Sequence, residues 1–197
     1  MGRIKHISKI KAIIEEAAVF RAADIERLAG NKAYAHLLLH NLAKQKNVYR
    51  LMKGWYSKED DPILSVFCFK PAYLGLQSAL SFRNLWEQET NPVIITVKKA
   101  RAGVRKVFGN NVVVHRLNPK YFFGFDFLER ENYLVPVSDI EKTLIDFVYF
   151  KIKLDLKLTR KLGKKLNRGK LNLYLEKYPL KFRKKAIKLI LFADETV

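Results

Sequence analysis

Ile7, Ile10, Ile14 and Ala17 recur every three or four residues, with Lys9, Lys11, Glu15 and Glu16 between them. That spacing predicts an amphipathic helix over residues 4–18. A short extended piece, Val19-Phe20-Arg21, follows. Asp24 opens a brief second helix carrying Ile25, Leu28 and Ala29. It stops at Gly30, where a residue without Cβ takes φ > 0 at no steric cost. Asn31 suits the N-cap of a third helix over residues 32–45. In that helix Ala35, Leu38, Leu39 and Leu42 follow i, i+3, i+4, i+7 and must face a core. The opposite stripe is then Ala33, Leu37, His40 and Lys44, flanked by His36 and Asn41. Lys32 and Tyr34 sit at its N-terminal end, where a recognition helix meets base edges.

After the third helix, two β-prone runs flank Lys53-Gly54, a hairpin whose glycine supplies the turn. Lys53 stands at its tip and Arg50 on one strand. Helix, helix, glycine turn, helix and basic hairpin over residues 1–58 predict a winged helix-turn-helix. The same fold also serves protein or RNA contacts, so the fold alone does not choose a ligand.

Glu59-Asp60-Asp61-Pro62 is acidic and turn-prone and marks a boundary. Beyond it the pattern predicts a strand over 64–69 and a helix over 73–85, with Leu76, Ala79 and Leu80 on one face. A strand over 93–97, a polar loop over 98–105 and strands over 112–116 and 133–137 follow. A helix then runs from Ser138 to about Phe150. Ser138 and Glu141 have capping-box spacing, and a cap with a solvated face accounts for Asp139, Glu141 and Asp146. In the aromatic tract 121–127 only Phe123-Gly124-Phe125 fits the stacking strand of RNA-recognition motifs; the basic residue, first glycine and valine are missing. A packed strand or hairpin is the expectation, with a partner-binding surface second. Over 150–158 apolar and charged residues alternate, which by period argues a strand, with helix as the alternative. Two clearer helices, 171–178 and 181–192, are split by Pro179. The expected class is α+β: a winged helix over 1–58, a mixed α/β domain over 62–150, and a basic, mainly helical extension over 151–197.

Charge sharpens this picture. The 197 residues carry 38 Lys and Arg against 19 Asp and Glu, a formal charge of +19. Residues 1–58 hold 12 basic and 4 acidic side chains, residues 59–150 hold 11 of each, and residues 151–197 hold 15 and 4. A neutral middle between two basic ends points to two contact zones for a polyanion. A lysine-rich composition adopted for solubility or heat tolerance accounts poorly for that distribution. No acidic side chain occurs between Glu26 and Glu59, as a surface pressed against phosphates requires. Double-stranded DNA is therefore the expected partner, contacted by Lys32, Ala33, Tyr34, His36, Leu37, His40, Asn41, Lys44, Arg50 and Lys53. Residues 151–170, with nine basic side chains and one acidic, are either a solvated face or a second phosphate contact.

The single cysteine, Cys68, lies between Phe67 and Phe69 and reads as a buried filler in a strand. One cysteine forms no internal disulfide, which suits a reducing cytoplasm. The opening Met-Gly-Arg-Ile-Lys-His shows no signal peptide, and no run approaches the roughly 18 apolar residues of a membrane span. A soluble, cytoplasmic protein is expected, away from membranes.

Catalytic signatures are missing. Gly103, Gly109 and Gly124 fit neither phosphate-binding glycine pattern. No Gly-Ser dipeptide precedes an Asp pair of the kind that holds two metals for nucleotide transfer. No Ser-His-Asp or Cys-His arrangement can be assembled. His36 and His40 lie four apart without the glutamate or cysteines of a zinc site. The expectation is a protein that is not an enzyme, without metal or cofactor.

Four stretches carry a family likeness: Tyr49-Arg50-Leu51-Met52-Lys53-Gly54-Trp55-Tyr56, Pro71-Ala72-Tyr73-Leu74-Gly75-Leu76-Gln77-Ser78-Ala79-Leu80, Phe123-Gly124, and Val137-Ser138-Asp139-Ile140-Glu141-Lys142-Thr143-Leu144-Ile145-Asp146. Their order over roughly residues 8–150 resembles the AbiEi-type antitoxin and transcriptional-regulator family of prokaryotic defence systems. The resemblance implies an autorepressor whose winged helix binds repeats in its own promoter. It also implies a partner, a nucleotidyltransferase-like toxin, neutralised through the C-terminal part, and structural roles for the middle motif residues. The lysine-rich tail departs from the family pattern. A reading of another class is a protein-interaction module that grips the toxin through its aromatic middle without sequence-specific DNA binding; a nucleic-acid-processing enzyme has only the charge behind it. Helix-turn-helix proteins commonly pair as homodimers on half-sites, and no coiled-coil heptad marks an interface here.

Overall fold

The structure, a computed structural model, describes residues 2–88, 90–107 and 109–191. They divide into two compact units, residues 2–69 with 104–107 and 109–112, and residues 70–88 and 90–103 with 113–191.

In the first unit, α1 (Gly2–Glu16), β1 (Phe20–Arg21), α2 (Ala22–Ala29) and α3 (Lys32–Lys44) lead into the hairpin β2 (Tyr49–Met52) and β3 (Trp55–Ser57). β1 pairs antiparallel with β3, in the order β1-β3-β2. Ile10, Ile14, Phe20, Ile25, Ala35, Leu39 and Val48 form the core. Ile7, expected on the inward stripe of α1, is 44% exposed. Gly30 ends α2 at φ 65° with its N–H on the Glu26 carbonyl, and the Asn31 side chain accepts from the Tyr34 N–H at 3.0 Å. The turn chemistry of this segment thus aims α3.

The apolar run expected as a strand over 64–69 is a 3₁₀ segment, Pro62–Phe69. Proline opens a helical turn at no cost because its missing N–H would be unpaired there. Asp61 takes up the next free donors, its carboxylate accepting from Ile63 N and its carbonyl from Leu64 N. Cys68 is buried, but within this segment rather than in a strand.

The remaining elements are β4 (Ala72–Leu74), α4 (Leu76–Phe82), β5 (Val93–Thr96), β6 (Gly103–Val107), β7 (Asn110–Arg116), β8 (Phe125–Arg130), β9 (Tyr133–Ser138), α5 (Ile140–Tyr149), α6 (Leu156–Gly163), α7 (Arg168–Leu175) and α8 (Leu180–Leu191). In the second unit the sheet runs β7-β5-β4-β9-β8. β4 with β9 and β5 with β7 are parallel, the other pairs antiparallel. The helix expected over 73–85 begins only at Leu76. Ala72, Tyr73 and Leu74 are instead buried in a strand flanked on both sides. Ladder bonds to two distant strands outweigh the local helical period there. The loop expected over 98–105 gives way to β6 at Gly103.

The tail is not a separate extension. Leu162, Leu171, Leu175, Tyr178, Ala186 and Ile190 share one core with Tyr73, Leu80, Ile95, Leu144 and Phe147. The alternating stretch over 150–158 forms no strand. Ile152, Leu154 and Leu158 pack on that core as the chain enters α6, because burial against α5 and α8 places them more effectively than a strand with no neighbour. The helices expected after Leu171 are α7 and α8; Phe192, the expected end of the last, lies outside the described residues.

Candidate nucleic-acid interface

Helical geometry divides α3 cleanly. Ala35 and Leu39 are fully buried, while Leu37 is 58% exposed. Lys32, Ala33, Tyr34, His36, Leu37, His40, Asn41 and Lys44 all reach solvent, as do Arg50 and Lys53 on the hairpin. Met52 and Trp55 close the hairpin around Lys53 and Gly54, whose φ is 76°. The Gly54 carbonyl accepts from Ala22 N at 3.0 Å, which ties the hairpin tip to the start of α2.

Two of the ten candidate residues are engaged elsewhere. His36 Nε2 lies 2.9 Å from Glu26 Oε1, so one acidic group from α2 reaches the edge of the stripe. Tyr34, 43% exposed, lines a groove of about 880 Å³ whose apolar wall includes Ile7, Ile10, Leu38 and Leu42. The side of α3 opposite its core is therefore carried by Ala33, Leu37, His40, Asn41 and Lys44.

Charge pairing narrows the cations. Arg27 meets Asp24 at 3.3 Å, and Lys58 is paired with Glu15. Lys32, Lys44, Arg50 and Lys53 form no ion pair among the described residues. Arg21 is a basic residue that periodicity did not single out. It is exposed, beside the hairpin, with its guanidinium 4.7 Å from the Trp55 ring centre. Its signal is the alternation of buried Phe20 with outward Arg21.

A second constellation, in the other unit, overturns the solvated-face expectation for α5. Asp139, Glu141, Lys142 and Asp146 are all buried. The N-cap is Asp139, accepting from Lys142 N at 2.7 Å. Ser138 closes β9 instead, its hydroxyl 2.7 Å from Thr143 Oγ1. Glu141 does not bond back to its own helix start; it accepts from Asn167 N at 2.8 Å and caps the approach to α7. The box is displaced because Ser138 is held in the ladder opposite Phe125.

Deeper in, Asp146 accepts from Lys142 Nζ and from the Tyr73 hydroxyl. Burial raises the Asp146 carboxyl, with Lys142 and Tyr73 pulling it back down. Burial lowers Lys142, opposed by Asp146. Nearer the surface Asp139 accepts from the Tyr174 hydroxyl at 2.8 Å and pairs with Lys170 at 2.9 Å. Burial and that hydrogen bond push Tyr174 up to about 12. Gly124, at φ 72°, lets the chain pass this cluster; a Cβ there would come within 2.9 Å of Lys142 Cβ. These groups satisfy one another, so the constellation braces β4, α5 and α7.

The aromatic tract is likewise packed: Phe122 and Phe125 lie against Tyr73. Phe127 departs from this, standing 61% exposed on β8. Among the described residues no group of His, Cys, Asp or Glu is placed to hold a metal ion, and no helix is long and apolar enough to cross a membrane.

Among solved structures the chain is similar to that of the RV2827C protein from Mycobacterium tuberculosis, with a TM-score of 0.58 and 14% identity over 96% of this chain and 77% of that one. At that identity the likeness concerns the fold, an α+β arrangement that the two share. No family model matches the sequence, and no curated protein does.

Proposed function

We propose that the protein is a cytoplasmic DNA-binding transcriptional regulator whose first unit is a winged helix-turn-helix. On this reading α3 enters the major groove and the β2–β3 hairpin is the wing that reaches the adjacent backbone. One observation carries the reading: the outward side of α3 displays Leu37, His40, Asn41 and Lys44 without an acidic residue of its own, while Ala35 and Leu39 anchor its other side. Lys32, Lys44, Arg50 and Lys53 supply phosphate contacts. Leu37, His40 and Asn41 face base edges, where an asparagine pairs with adenine and an apolar side chain with a thymine methyl. The resemblance to AbiEi-type regulators supports an autorepressor acting on repeats in its own promoter.

A second role, neutralising a nucleotidyltransferase-like toxin through the second unit, is favoured by the exposed apolar Phe127 and Leu134, 61% and 60% exposed on neighbouring strands. In the ladder Phe127 stands opposite Pro136 and Leu134 opposite Glu129, so the two are diagonal neighbours on one face. A solitary exposed side chain needs no explanation, but two together offer a partner a contact.

Binding to a DNA pool at several salt concentrations tests the main reading. The log–log slope should reach about −0.9 per phosphate neutralised. Lys44→Gln and Lys53→Gln should each flatten it by about that amount, while Asn41→Ala should relax sequence preference and leave the slope. Variants that bind as the parent does would remove α3 from the interface.

A further inference from the structure

On the second unit, α5, the segment after it and α8 enclose a cleft of about 430 Å³. Its walls are apolar, including Leu144, Phe147, Leu154 and Ile190, and its lining carries Lys151, Lys153 and Lys185 with no acidic residue. We propose that this cleft binds a small amphiphile with an anionic head, of the medium-chain carboxylate class.

The polar inventory of the cleft determines the head. The Thr159 hydroxyl donates to the Asp155 carbonyl at 2.9 Å. The other polar side chains of the lining are the three lysines, which donate and cannot accept. Among the described residues none of the three has an ion-pair partner. Asp155, the one acidic residue between 151 and 170, lines a different cleft with Trp86, Arg160 and Lys161. A ligand head must therefore accept hydrogen bonds and gains by being negative. The walls determine the body, since a sugar or a nucleobase would leave its polar groups unmatched against leucine and phenylalanine. Leu189, 52% exposed on α8 and part of the lining, offers further apolar surface for an alkyl chain to cover. The volume falls in the roughly 300–1,000 Å³ range of small-ligand sites.

Calorimetry on the full chain tests this with hexanoate, octanoate and decanoate below their micelle concentrations, and with octanol and octylamine. One molecule of octanoate per chain is expected. Each added methylene should tighten binding roughly fourfold until the cleft is full, and octanoate should bind about tenfold tighter than octanol. All three lysines are exposed, so the triple variant Lys151→Gln, Lys153→Gln, Lys185→Gln should fold and should lose the preference for carboxylate over alcohol. Leu189→Glu should weaken octanoate more than octanol. Absence of octanoate binding overturns the proposal. So does equal binding of alcohol and carboxylate by the parent chain, or a triple variant that keeps the carboxylate preference, which would place the anion elsewhere on a basic surface.

Discussion

The Tyr73 hydroxyl donates a 2.7 Å hydrogen bond to Asp146 Oδ2, joining strand β4 within the second unit's sheet to helix α5. Lys142, one turn earlier on the same helix, occupies the other carboxylate oxygen. Both Lys142 and Asp146 are fully buried. A charge so placed is tolerable only while its partner remains.

Removing one partner should therefore cost far more than removing both. Lys142→Met should destabilise the second unit by about 3–5 kcal/mol, because it strands a carboxylate in the core. Tyr73→Phe should cost about 1–3 kcal/mol. The double variant Lys142→Met, Asp146→Leu should cost much less than Lys142→Met alone. Urea unfolding followed by tyrosine and tryptophan fluorescence measures all three; a double variant that loses as much as Lys142→Met or more would show that a stranded carboxylate is not the source of the single variant's loss.

His115 lies half-buried with its ring 4.6 Å from that of Phe150, and burial lowers it from its ordinary value of 6.5. The unfolded chain therefore takes up a proton at this position before the folded one does. Stability contributed by neutral His115 is present above pH 6.5 and is lost as the pH falls toward the folded value. His115→Gln should flatten the dependence of unfolding free energy on pH below 6.5 and leave it unchanged above pH 7.5. A parallel offset of the two curves at every pH would mean that packing alone is involved.

The contact between His36 and Glu26 bears on the proposed interface. Glu26 is an acidic residue in contact with one of the candidates, His36, and a carboxylate beside phosphates repels them. Glu26→Gln should tighten DNA binding a few-fold at low salt, with the gain fading as salt screens the charge. Fluorescence anisotropy on a fixed duplex at 50 and 300 mM salt reads both effects. Weaker binding at both concentrations would instead show that Glu26 serves to hold His36 in position.

Local chemistry alone determined much of the first unit. Gly30 and Asn31, the i, i+3, i+4, i+7 series Ala35, Leu38, Leu39 and Leu42 of α3 and the Lys53-Gly54 turn act within a few residues of themselves. The helices and hairpin they predict therefore match β1, α2, α3, β2 and β3 closely, and the basic, acid-free character of residues 27–58 is likewise a property of the string. Which α3 residues keep their freedom was decided in three dimensions. Glu26 reaches His36 from another helix, and Tyr34 lines a groove partly walled by Ile7 and Ile10 of α1.

In the second unit tertiary structure decided more. Tyr73 became a strand residue because β5 and β9 flank it. Asp139, Glu141 and Asp146 became buried because Tyr174, Asn167 and Tyr73, distant along the chain, supply their partners. The basic tail joined the core because its leucines found α5. A charged side chain shows its formal charge in the sequence, but whether it faces water or a partner depends on what else the fold brings within about 3 Å of it. Hydrogen bonding and desolvation both act at that short range, and no local period of the chain encodes it.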